Sequence, residues 1–127
     1  MTQEDKQLLL KDICARLPYK VKGVYARTDI KNLSICEITT HLYGEMEESY
    51  NGKEKYEFIP YLRPMSSMTD EEQRTLDSMC NGVEMVSRLS GLKMFNKAFD
   101  WLNKNHFDYR GLFEKGLAVD ATGLNIY

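Results

Sequence analysis

Apolar residues at the start of the chain recur at helical spacing: Leu9, Ile13 and Leu17 stand four apart, with Leu10 and Cys14 beside them. Thr2 precedes them and Asp5 follows it by three, so hydroxyl and carboxylate can each take the other's backbone N–H. The pattern predicts a helix over residues 2–17, stopped by Pro18. From 20 to 61 the period changes. "KVKGVYAR", "NLSICEITTHLYGEM" and "KYEFIPYL" are rich in β-branched and aromatic residues, and Asn51-Gly52 between the last two suits a tight hairpin turn. These runs predict a small antiparallel sheet. Alternation in the second is broken, with Leu33 and Ile35 on one side and Cys36, Ile38 and Leu42 on the other, which points to a bulge, a sharp bend or burial of both faces.

Helical spacing returns after "YLRPMSSM". Thr69 is placed to cap, Asp70 and Glu71 suit the first turn, and Glu72 sits where a capping box needs a carboxylate. This helix directs Leu76, Met79 and Cys80 toward the core and meets Asn81-Gly82. "VEMVSRLSGLKM" fits both periods and stays open between strand and helix. Over 95–105, Phe95, Ala98, Phe99 and Leu102 form one stripe with Trp101 at its margin, and His106 would extend that stripe. Asp108 then caps a short helix, "YRGLFEK", which Gly116 ends in a left-handed position that brings Leu112 against Leu117. The tail "DATGLNIY" is expected to fray. The fold class predicted is α+β in one domain over 1–127: helix at 1–17, a bent antiparallel sheet at 18–62, mainly helix at 69–118, and a tail at 119–127.

A chain of 127 residues that is 43% hydrophobic has room for one core. A net charge of -2 removes the broad positive field of a general nucleic-acid binder. Charge is unevenly laid out all the same: Arg16, Lys20, Lys22, Arg27 and Lys31 face Asp29 alone, whereas residues 37–57 are predominantly acidic. A basic strand paired with an acidic hairpin accounts for both runs, and an exposed basic strand that meets an acidic partner is the alternative. The polar, acidic start is unlike a secretory signal, and no apolar run approaches bilayer length, so a soluble cytoplasmic protein is expected. Cys14, Cys36 and Cys80 form neither a disulfide framework nor a metal pair and are read as buried, reduced thiols.

Catalytic chemistry has little to work with. His41 and His106 are the two histidines, and of these His106 is the better placed, with Asp108 near it in sequence and Asp100 a candidate neighbour in space. "SGLK" matches a four-residue acyl-transfer pattern whose companion motifs are missing. No phosphate loop, dinucleotide fingerprint or metal-ligand spacing is found, so no catalytic, cofactor or metal residue is assigned.

"YLRPMSSMTDEE" at 61–72 and "DWLNKNHFDYRGLFEKGLA" at 100–118, with the opening helix "LLLKDICARLPY", resemble blocks shared by a group of short proteins of Bacteroides-type gut bacteria and their phages and prophages. The resemblance implies a bacterial cytoplasm and a mobile-element context. It implies no activity, cofactor or site residue, because the group has none to carry over. A helix followed by a small bent sheet is also similar to Sm-like and SH3-like barrels, an analogy of fold alone.

Three functional readings follow. The first is a non-enzymatic protein-interaction or assembly module with a protein partner or a second copy of itself, using Tyr61, Arg63, Met65 and Met68 in the crossover. The second is a nucleic-acid accessory factor whose contacts are Lys20, Lys22, Tyr25 and Arg27 on the basic strand. The third is an enzyme built on His106, which requires a concave site around that imidazole rather than one walled in by Phe99 and Leu102.

Overall fold

The computed structural model describes residues 2–27, 30–37, 56–80 and 88–127; the Asn51-Gly52 turn, His41 and residues 83–87 lie outside them. Helix α1 covers Gln3–Arg16, and its capping box is made as the sequence predicts, with Asp5 N–H donating to Thr2 Oγ1 at 3.1 Å and Thr2 N–H to Asp5 Oδ2 at 3.2 Å. Pro18 sits in a 3₁₀ turn over Leu17–Tyr19, and Lys20 then takes a left-handed conformation that turns the chain into the sheet.

Strand β1 (Lys22–Arg27) lies between β2 (Ile30–Glu37) and β3 (Tyr56–Leu62), antiparallel to both. Its ladder with β2 is regular over residues 33–37, where the uneven alternation predicted a break, and slips instead between Ala26 and Arg27; Ile38 and Leu42 lie outside the described residues. The tail does not fray. Val119–Asp120 form β4, parallel to Tyr61 and Leu62, giving an open sheet of order β2-β1-β3-β4. Gly23 is required where β1 meets β3: a Cβ there would lie 2.5 Å from Ile59 O and 2.5 Å from Phe58 Cζ.

Leu9 and Ile13 of α1 pack with Val21, Phe58, Leu62, Leu112 and Leu117 in the core. The last two meet as expected. Gly116 is left-handed, and Leu117 N–H donates to Leu112 O at 2.9 Å while Gly116 N–H donates to Phe113 O at 3.1 Å. The predicted "YRGLFEK" helix shrinks to a 3₁₀ turn over Phe113–Lys115. Asp108 still caps it, from farther back, by accepting Leu112 N–H at 2.9 Å and Phe113 N–H at 3.0 Å.

Helix α2 (Asp70–Cys80) begins with the expected capping box, Glu72 N–H to Thr69 Oγ1 and Thr69 N–H to Glu72 Oε1, each 3.1 Å. Leu76, Met79 and Cys80 are half-buried rather than core. Helix α3 (Arg88–Lys104) starts earlier than the 95–105 prediction, so the described part of "VEMVSRLSGLKM" is helical.

Two burial expectations are corrected. On α3 the covered side carries Gly91, Ala98 and Leu102, while Phe95 and Phe99 are 43% and 46% exposed, because the apolar stripe is wider than the surface that covers it. On α1 the positions shared with Leu9 and Ile13 belong to Asp12 and Arg16, which turns Cys14 outward; Cys80 is half-buried, and the Cys36 side chain lies outside the described residues.

Candidate functional site

The blocks 61–72 and 100–118 are stitched together. Arg63 N–H donates to His106 O at 2.8 Å and Asp108 N–H to Arg63 O at 2.9 Å, a parallel bridge across Phe107. The Arg63 guanidinium lies 4.2 Å from the centre of the Phe107 ring, which also stacks with Trp101 at 5.7 Å. Beyond the ring, Arg63 grips Glu72 with two hydrogen bonds of 2.9 and 2.8 Å. Those bonds, foremost, and the Thr69 N–H hold Glu72 down to a pKa of about 2.

Beneath this unit lies a buried charge cluster. Arg16 and Asp12 are both fully buried and joined by two hydrogen bonds, Nε–Oδ2 at 2.8 Å and Nη2–Oδ1 at 3.0 Å. Arg16 Nη2 also donates to Phe107 O at 2.6 Å, and Arg110 reaches Asp12 Oδ1 at 2.9 Å. Arg16 Nη1 is buried with no hydrogen-bond partner among the described residues. Tyr109 closes the cluster: its ring lies under both Arg110 and Arg16, and its hydroxyl donates to Asn103 Oδ1 at 2.9 Å.

A groove of about 740 Å³ opens beside the cluster, between the start of β1, the end of α3 and the last seven residues. His106 lines it. Leaving α3, His106 N–H donates to Asn103 O at 3.1 Å and Phe107 N–H to Leu102 O at 3.0 Å, the pattern that usually places glycine in the left-handed position. Here that position, at φ 62°, is a histidine. The imidazole stacks on Tyr127, ring centres 3.6 Å apart, and its Nδ1 is buried without a partner among the described residues. Burial, then the charges of Arg16, Arg63 and Lys22, hold its pKa down at about 4, so it is neutral at pH 7.

Tyr127 ties the last residues across the groove. Its hydroxyl accepts Lys22 N–H at 2.8 Å and faces Tyr61 O at 2.8 Å and Lys22 O at 3.2 Å as acceptors. Burial pushes its pKa up to about 12, so the hydroxyl keeps its proton to donate. Lys22 Nζ donates to Ile126 O at 2.6 Å.

The sequence-derived candidates are therefore dispersed. Of the crossover set, Tyr61 is 8% exposed, Arg63 is engaged with Glu72 and Phe107, Met68 is half-buried, and Met65 is 40% exposed. Of the basic-strand set, Lys20 and Lys22 line the groove; the side chains of Tyr25 and Arg27 lie outside the described residues. His106 does border a concave space, and its ring neighbour is Tyr127 rather than Phe99. Its supposed acid partner Asp108 is spent on two backbone N–H groups. No group of three metal-ligating side chains is found among the described residues. None of their helices is long and apolar enough to cross a membrane.

Sequence reading missed Tyr127 and the groove, since residues 22, 106 and 127 meet only in the folded chain. It also missed the apolar ridge on α3, where Leu92 (61% exposed), Phe95 and Phe99 follow one another at spacings of three and four. No protein-family model, curated protein or solved structure matches the chain.

Proposed function

We propose that this chain is a non-enzymatic assembly module that pairs with a second copy of itself through α3. The observation that carries the reading is the exposed row Leu92, Phe95 and Phe99, whose spacing is that of a helix-packing seam. Large apolar side chains gathered on one solvent-facing helix surface lose free energy to water that a matching surface would recover. In an antiparallel pairing centred between Phe95 and Asn96, Leu92 lies across from Phe99 of the second copy, so the row is complementary to itself.

Three side chains per copy make a small interface, so dissociation constants of roughly micromolar to millimolar are expected. Light scattering and analytical ultracentrifugation across that concentration range test it. The wild type should pass from monomer to dimer, and Phe95→Ser with Phe99→Ser should stay monomeric while keeping the helical circular dichroism of the wild type. A wild type that remains monomeric up to about 1 mM overturns the proposal.

A further inference from the structure

We propose that the groove beside His106 is a binding site for a small organic anion carrying phosphate or carboxylate groups, independently of any pairing through α3. Among the described residues, Lys20, Lys22 and Lys104 line it with Glu37 as the one acidic side chain; a further cation, Arg63, is already matched by Glu72. Lys20 and Lys104 are exposed and have no ion-pair or hydrogen-bond partner for their ammonium groups among the described residues. The space, about 740 Å³, falls within the roughly 300–1,000 Å³ of small-molecule sites.

Backbone strain supplies an independent argument. Six described residues take positive φ, and three of them are glycines, Gly111, Gly116 and Gly123. The other three, Lys20 at 58°, His106 at 62° and Asn125 at 51°, all line this one groove. Lys20 and His106 each sit just past a helix end, where glycine adopts the same turn with less strain. Retaining a side chain at a position that favours glycine is explained when the side chain has work to do, and strained residues collect at ligand sites. His106 itself lines the groove wall, its ring stacked on Tyr127. Asn125 supplies a side-chain amide along the same wall.

Titration of the full-length protein with pyrophosphate and with citrate at low salt, followed by ¹H–¹⁵N NMR, tests the assignment. Amides of residues 20–22, 104–106 and 123–126 should shift together and saturate, with pyrophosphate or citrate the tighter according to the head group the site prefers. Lys104→Gln should weaken binding about five- to tenfold. Lys20→Gly should weaken it similarly while raising the melting temperature by about 3 °C, because it removes a ligand contact and relieves strain at once. A purely structural lysine would not separate the two readouts in this way. The proposal is overturned if neither anion shifts these amides, if Lys20→Gly leaves affinity unchanged, or if a short oligothymidylate binds where both small anions do not.

Discussion

Replacing Asp12 with alanine would strand the Arg16 guanidinium inside the protein. Arg16 and Asp12 are both fully buried, and the substitution removes both hydrogen bonds between them together with the counter-charge. Only the Phe107 carbonyl would remain, since Nη1 already lacks a partner among the described residues. Breaking a buried ion pair from one side costs about 3–5 kcal/mol, against a total stability for a domain of about 5–15 kcal/mol. For a chain of this length that corresponds to a fall in melting temperature of roughly 10–20 °C. Urea unfolding at pH 7 followed by Trp101 fluorescence is the suitable assay, because Trp101 stacks on Phe107, whose carbonyl Arg16 holds. The companion variant carries Asp12→Leu and Arg16→Met. It removes both buried charges, leaves Arg110 free to turn toward water, and should lose less stability than Asp12→Ala alone. A loss below about 1 kcal/mol for Asp12→Ala, or a double variant less stable than the single, would refute the reasoning.

Acid should weaken the fold through His106. The unfolded chain binds the imidazole proton near pH 6.5 and the folded chain only at about 4, so stability is full above pH 6.5 and falls by roughly 3 kcal/mol toward pH 4. His106→Asn, which tolerates the left-handed backbone, should flatten that window in pH-dependent urea melts, leaving the loss at lower pH where Glu72 titrates. Gly23→Ala forces a methyl against Phe58 and Ile59 O and should cost about 1–3 kcal/mol in the same assay. Tyr127→Phe removes the hydroxyl that joins Lys22 to Tyr61, and hydrogen exchange should quicken at the amides of residues 22 and 119–126, with about 1 kcal/mol lost.

Local features were legible wherever the deciding interactions lie within a few residues. The boxes at Thr2–Asp5 and Thr69–Glu72 and the left-handed Gly116 joining Leu112 to Leu117 are written in adjacent side chains, and each is found. Asp108 was legible as a cap for the same reason, although its helix contracted to one turn. Misreadings arose where a residue's environment is supplied from afar. Asp12 and Arg16 have the spacing of an ordinary surface pair, and only packing against Phe107 and Arg110 makes them buried. Phe95 and Phe99 read as core because periodicity marks an apolar face without showing how much of it is covered.

By itself the sequence determined an α+β chain: where its first two described helices begin, what caps them, and where β structure replaces helix. Only the tertiary structure decided that the 61–72 and 100–118 blocks meet across Phe107, that the last residues add a strand and lay Tyr127 on His106, and that three left-handed non-glycine residues share one groove. Caps and turns involve neighbours a few residues apart, so they recur wherever the same short pattern occurs. Contacts such as Arg16 with Phe107, or Lys22 with Tyr127, depend on the whole chain being folded, and no short pattern encodes them.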